Sequence, residues 1–228
     1  MKIKKLIAFC ALNAIFLTGC SFLTPPKQDL PRIEPVEYIA LTHGGAKNST
    51  SQIKSLNELK KATDLSNLVN KYLNKKDGRD CSGFVSLINK KSQNLYFKER
   101  NLDKFYSKYG FKSEAIFNLY KSKNLIIDKE PKVGDLVFFN NTTNKTKNYK
   151  KIKVITHIGI VDKIYNDGTI RFVHHNGSKN KHGFINFDYK NRHKSGKKEI
   201  NSYIINCKNK NSSCLASNRF AGFGSVKF

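Results

Sequence analysis

The sequence predicts an α+β domain, with helices in its first half packed on an antiparallel β-sheet built from its second half. Two observations carry this. From Gln52 to Asn74, after Cys81 and from Glu114 to Ser122 apolar residues recur at helical spacing, with Tyr96 to Tyr109 between them showing no clean period, and after Pro131 they gather in short runs divided by turn residues. At 228 residues, with the two ends discounted, the chain has room for one domain, and its 39% apolar content is ordinary for a protein with a single core. The formal charge of +25 is unusual and suits polyanionic surroundings. Lysine and asparagine are spread along the whole chain, however, and there is no zinc-finger, RNP or helix-turn-helix pattern, so no nucleic-acid partner is expected. Anionic cell-envelope material is a fitting neighbour.

Taken in order, Met1 to Cys20 has a basic start (Lys2, Lys4, Lys5), an apolar stretch from Leu6 to Leu17, and then Thr18-Gly19-Cys20. This has the layout of an export signal and is short for a membrane span. Its ending resembles a bacterial lipobox, which implies diacylglyceryl transfer to Cys20, cleavage before it, and attachment to the membrane through the lipidated cysteine. Ser21 in place of Asp points, by analogy with Gram-negative lipoproteins, to the outer membrane facing the periplasm. Residues 21–50, with Pro25, Pro26, Pro31, Pro35 and Gly44-Gly45, read as a tether carrying a domain at 51–228. His43, an isolated loop histidine, is expected to be solvent-exposed.

Ile53, Leu56, Leu59, Leu65, Leu68, Val69 and Leu73 predict one or two helices ending near Asn74. The loop Lys75 to Arg79 then delivers the chain to Cys81, where Phe84, Val85, Leu87 and Ile88 open an apolar helical run with the cysteine in its first turn. Free N–H groups there and the helix dipole favour a thiolate, the nucleophilic form. A further helix is expected from about Glu114 to Ser122 with Ser113 as N-cap. Leu136 to Phe139 follows the turn at Pro131 to Asp135 as a strand, and Asn140 to Lys151 is a polar loop. Val154 to Ile164 and Thr169 to Val173 form a hairpin through Asn166-Asp167-Gly168. Phe184 to Phe187 and Tyr203 to Ile205 are expected strands, and the apolar tail Phe220 to Gly224 is expected to pack back on the domain.

A cysteine nucleophile needs a base within hydrogen-bond reach and a group that orients the base. His157 opens one predicted strand, and His174 and His175 close the next. A two-residue turn at Asp167-Gly168 sets Val161 opposite His174 and Ile160 opposite His175. His157 and His174 then share a face, but four residues apart along the ladder, unless a bulge shifts it. Asn176 is nearer in that register, so the third residue is open among His174, His175 and Asn176. Cys81 lacks spaced ligand partners, so no metal or other cofactor is expected.

Asp80-Cys81-Ser82-Gly83-Phe84-Val85, Gly134-Asp135-Leu136-Val137-Phe138-Phe139, His157-Ile158-Gly159-Ile160-Val161 and Phe172-Val173-His174 resemble, in order, four motifs of the NlpC-type (NlpC and p-sixty) papain-like cell-wall cysteine peptidases. The resemblance covers about residues 70 to 190. It implies the papain-like NlpC-type α+β fold, Cys81 as nucleophile, His157 as general base and acid, and His174 as the third polar residue. It also implies peptidoglycan stem peptides as substrate, commonly cut between D-glutamate and a diamino acid. Asp80 and Ser82 beside the nucleophile are expected to face substrate. In the family a Tyr-x-x-Gly-Gly stretch supplies an oxyanion-site tyrosine; here it reads Tyr72-Leu73-Asn74-Lys75-Lys76, which makes Tyr72 the candidate. Related Cys-His amidases acting on the N-acetylmuramoyl-L-alanine bond share part of the pattern, and a non-catalytic envelope lipoprotein that binds wall peptide is a third reading. Cys207 and Cys214 are expected to form a local disulfide in an oxidising periplasm.

Overall fold

A strand with apolar side chains on both faces needs cover on both sides, and the layering of this protein follows from that need. A computed structural model describes residues 46–228; the signal, Cys20, His43 and most of the expected tether lie outside the described residues. Helices α1 (Ala46–Asn70), α2 (Cys81–Lys91) and α3 (Lys112–Ser122) come first. Then follow β1 (Ile126–Ile127), β2 (Leu136–Asn140), β3 (Ile155–Ile164), β4 (Ile170–His175) and β5 (Asn180–Ile185). A short hairpin of β6 (Lys194–Ser195) and β7 (Lys198–Glu199), the single-turn helix α4 (Ala216–Arg219) and β8 (Phe220–Gly224) complete the chain. Six strands make one antiparallel sheet in the order β1-β8-β2-β3-β4-β5. This is the α+β architecture that the sequence predicts.

Strand alternation divides the core in two. Leu136, Phe138, Ile158, Ile160 and Val173 pack with Phe84, Val85 and Ile88 of α2 and with Ile116 and Leu119 of α3. Val137, Phe139, Val161, Phe172 and Ile185 point the other way, onto Phe223 and Ala216. Each fully buried side chain of this size contributes roughly 1.5–3 kcal/mol. Among the described residues no helix is long and apolar enough to cross a membrane.

Several elements differ from expectation. α1 is one helix that starts at Ala46, so residues 46–50 of the expected tether are helical. Its Ile53, Leu56 and Leu59 are exposed while Leu65 and Val69 are buried, because only the C-terminal half of the helix packs on the core. Phe111, not Ser113, is the N-cap of α3; the Ser113 hydroxyl instead donates to the buried Ile155 carbonyl at 3.1 Å. β5 starts at Asn180 and stops at Ile185, since the Asn186 amide turns aside to Asn201 Oδ1. Tyr203 makes one bridge to Leu215 in place of a strand. The tail segment does more than pack back: as β8 it inserts between β1 and β2.

The hairpin register also shifts. Ile164 pairs with Ile170 and Lys163 with Arg171, but Val161 pairs with Phe172 and Ile160 with Val173, so Asp162 is the extra residue of a bulge. The buried Asp162 carboxylate takes Arg171 Nη2 at 2.6 Å and Nε at 3.0 Å, with Asn70 Nδ2 at 3.3 Å and His182 Nε2 at 3.5 Å. Burial alone would raise this carboxyl; the hydrogen bonds from His182 and Arg171 outweigh it and hold the group below its ordinary range. Ser66 of α1 donates to the Asp162 carbonyl, so the bulge is also where α1 docks. Arg171→Met, which leaves a buried carboxylate unpaired, should destabilise the fold by on the order of 3 kcal/mol in urea unfolding, and Asp162→Leu added to it should recover part of the loss. An unchanged urea midpoint in the single variant would mean that the pair does not hold the bulge.

Candidate active site

The start of α2 is held from two directions. The Asp80 side chain caps the helix, with Oδ1 accepting from the Gly83 amide at 2.7 Å and from Ser82 Oγ at 2.9 Å. A Cβ on Gly83 would stand 1.9 Å from the Gly78 carbonyl oxygen, so only glycine lets the incoming loop lie this close to the first turn. That loop is clamped by β5. The Asn74 amide donates to the Asn180 carbonyl and the Asn180 amide to Lys75, both at 2.8 Å, while Asn180 Nδ2 donates to the carbonyls of Tyr72 and Asp77. Cys81, the free cysteine of the described residues, is thereby fixed as the first residue of the helix, half-buried at the wall of a cleft.

The bulge at Asp162 supplies the second half of the site. It carries His174 back along β3 and sets its Nδ1 2.7 Å from His157 Nε2, with the rings edge to face at 4.9 Å. Gly159 makes the approach possible, since a Cβ there would meet the Phe172 ring and the Val173 carbonyl at 2.9 Å. The other two candidates for the third position are engaged elsewhere. His175 Nδ1 accepts from the Gly177 amide, and Asn176 Oδ1 accepts from Ser178 and Lys179 in the β4–β5 turn.

Burial dominates the electrostatics. It pushes the Cys81 thiol up to about 12, against the backbone amides of Ile158, Ser82 and Cys81 itself, which pull it down, and with Asp80 adding to the rise. Burial and then His175 bring His157 down to about 4, and burial with His157 lowers His174 well below the ordinary imidazole range. The resting pair is consequently a neutral thiol and a neutral imidazole, not the thiolate that the helix start alone suggested. A helix dipole contributes about 0.3–1 kcal/mol at a surface site, whereas desolvation can shift a buried group by several pKa units.

The geometry also distinguishes the two ring nitrogens. His157 Nε2 is committed to His174, so Nδ1 is the nitrogen that His174 does not engage. One hydrogen is shared between His157 Nε2 and His174 Nδ1, and His174 Nε2 is a buried atom without a partner among the described residues. The arrangement can deprotonate a thiol during attack on a carbonyl and return the proton to a leaving group.

The cleft, about 820 Å³, is lined by Cys81, His157 and His174, by Asp80 and Ser82, and by Thr142, Thr143 and Asn144 of the polar loop. Tyr72 is not in the lining; its ring packs against the helix-side core, with Lys75 Nζ 5.3 Å above it. The sequence reading did not find the loop threonines or Lys181, Tyr203 and Ile204, which also line the cleft. Cys207 and Cys214 are joined in a disulfide, so neither competes for Cys81. Among the described residues no cluster of histidine, cysteine and carboxylate side chains could hold a metal ion.

A half-buried cysteine at a helix start shares its cleft with two coupled imidazoles on an antiparallel sheet, an arrangement compatible with cysteine-hydrolase chemistry. Residues 71–198 match the model of the NlpC/P60 family, and with more than half of the chain covered the protein belongs to that family, which is associated with cell-wall peptidase and hydrolase activity. Nothing among curated proteins or solved structures matches the chain.

A neutral resting pair has a measurable signature. Thiolate ultraviolet absorbance should stay flat from neutral pH to beyond 9 in the wild type, and Cys81→Ser should show the same baseline; a thiolate signal already present at pH 7 would contradict it. On the acid side, an unfolded imidazole takes its proton near 6.5 and the folded His157 only near 4. The unfolded chain therefore binds more protons in that window, and folding stability should fall as the pH drops from 6.5 to 4.

Proposed function

We propose that the protein is a cysteine endopeptidase that cuts an amide bond in peptidoglycan stem peptides through a thioester. One observation carries this reading: Cys81 and His157 line one cleft while His174 Nδ1 holds His157 Nε2 at 2.7 Å. As the sulfur attacks the carbonyl carbon, its proton passes to His157 Nδ1. The oxygen that becomes negative is received by the amides of Cys81 and Ser82, which lie before the first α-helical bond from the Phe84 amide to the Asp80 carbonyl. His157 then gives its proton to the leaving amine as the C–N bond breaks. Water, deprotonated by the same nitrogen, attacks the thioester and returns the thiol. His174 acts as a positioning residue that keeps the hydrogen of His157 on Nε2.

The D-glutamyl-diamino acid bond is the proposed point of cleavage, and the export signal with Cys20 supports a lipid-anchored protein at the outer membrane. The wild-type protein should release muropeptides from purified peptidoglycan, with a new amine on the diamino acid seen by mass spectrometry, and Cys81→Ala should release none. Products ending at the muramoyl-alanine bond would instead identify an amidase, and equal inertness of both proteins on several wall chemistries would leave a peptide-binding lipoprotein. His174→Ala should lower kcat by roughly a hundredfold or more with little change in KM, because the hydrogen on His157 is no longer directed. His174→Asn, whose amide oxygen can accept that hydrogen, should recover part of the loss.

A further inference from the structure

The cleft holds a cation that the catalytic scheme does not use. Lys181 lies on β5 directly across from His174, so the two side chains leave the same face of the sheet, and Lys181 lines the cleft with Cys81 and His157. It is partly exposed and makes no ion pair with any described residue. The lining contains one other lysine, Lys112, which is bound to Glu99 at 2.7 Å. The one carboxylate of the lining, Asp80, is turned to the Gly83 amide and the Ser82 hydroxyl. Lys181 is thus the ammonium of the cleft that no side chain neutralises.

Its position is unfavourable for the chemistry of an unliganded site. Its charge works with burial to disfavour a proton on His174, and His157, hydrogen-bonded to that ring, must become an imidazolium during the reaction. A free ammonium opposes that step. An anion held on Lys181 removes the opposition and, at the same time, fixes the substrate through a charge-assisted hydrogen bond. The β4–β5 turn leaves room for it: Gly177 lines the cleft, and the space where a Cβ would stand is open.

We propose that Lys181 is the specificity residue of the site, receiving a free carboxylate of the substrate close to the scissile amide. The preferred substrate is then an acidic wall peptide, and the same peptide with that carboxylate converted to a carboxamide is discriminated against. This rests on the endopeptidase reading above and names the substrate feature that reading leaves open. Because the carboxylate also offsets the lysine charge beside the imidazoles, the preference should appear in kcat as well as in KM.

The test uses two synthetic stem peptides that differ only in a carboxylate or a carboxamide beside the scissile bond. The wild type should favour the carboxylate peptide in kcat/KM by on the order of tenfold or more. In Lys181→Gln that ratio should collapse towards one, and Lys181→Arg should retain most of it. Circular dichroism and the urea midpoint establish that the variants fold. A wild-type ratio near one, or a ratio unchanged in Lys181→Gln, overturns the assignment. If the wild type cleaves neither peptide, the endopeptidase reading has failed, and calorimetric binding of both peptides to Cys81→Ala and Cys81→Ala/Lys181→Gln proteins still decides the role of Lys181. Equal affinity of the two peptides for Cys81→Ala would overturn it there as well.

Discussion

The ion pair between Asp162 and Arg171 is the constraint on which the site depends. A regular two-residue hairpin through Asp167 and Gly168 places His174 opposite Val161, four residues along the ladder from His157 and beyond hydrogen-bond reach. The turn holds three residues between the paired Tyr165 and Thr169, which moves the register by one, and the extra residue at Asp162 moves it by one more, so that Ile160 faces Val173. An extra residue in a strand leaves the ladder locally broken, so something has to hold it. Here a buried carboxylate takes two nitrogens of the arginine on the neighbouring strand, and Asn70 and Ser66 tie α1 to the same point. The bulge therefore sets the docking of the first helix and, together with the turn, the register that joins the two imidazoles.

The second constraint is the low polarity around the thiol. The same packing that makes Cys81 hard to ionise makes His157 hard to protonate, so burial favours the neutral form of both groups. Separating charge inside such a site is costly for the free protein. In the proposed reaction, a carbonyl that accepts the attacking electron pair at the helix start moves the negative charge from sulfur to an oxygen beside the amides of the first turn. The helix cap contributes by geometry more than by its dipole. Asp80 takes the Gly83 amide and Ser82 Oγ, which holds the first turn of the helix around Cys81.

Much of this was legible in the sequence where local chemistry decides structure. Asp80-Cys81-Ser82-Gly83 reads as a capped helix start, and the run of apolar residues after it gives the buried face. Asn166-Asp167-Gly168 gives the hairpin, and alternation puts His157 and His174 on one face. The misses share a different cause. Ser113 is a good N-cap by type, but a buried carbonyl at Ile155 competes for its hydroxyl. The tail with Gly222 and Gly224 has poor strand propensity and becomes β8 because two strands with unfilled edges take it up. The bulge left no sequence mark beyond an acidic residue in an apolar strand and an arginine nine positions later.

The departure from the family pattern at residues 72–76 has a structural answer. Where the pattern has a glycine pair this chain has Lys75 and Lys76, neither of them at positive φ, and the left-handed residue is Asn74 just before them, at φ 62°. Asparagine tolerates that left-handed conformation better than most residues. The bend is then secured from outside by Asn180, fully buried, whose backbone pairs with residues 74 and 75 and whose side chain donates to two loop carbonyls. Five residues earlier on the adjoining strand stands His175, the cross-strand partner of Asn180, next to the imidazole that completes the site. The clamp on the loop before Cys81 and the placement of His174 are thus made by the same two paired strands, which couples the position of the Cys81 sulfur to that of the histidine pair.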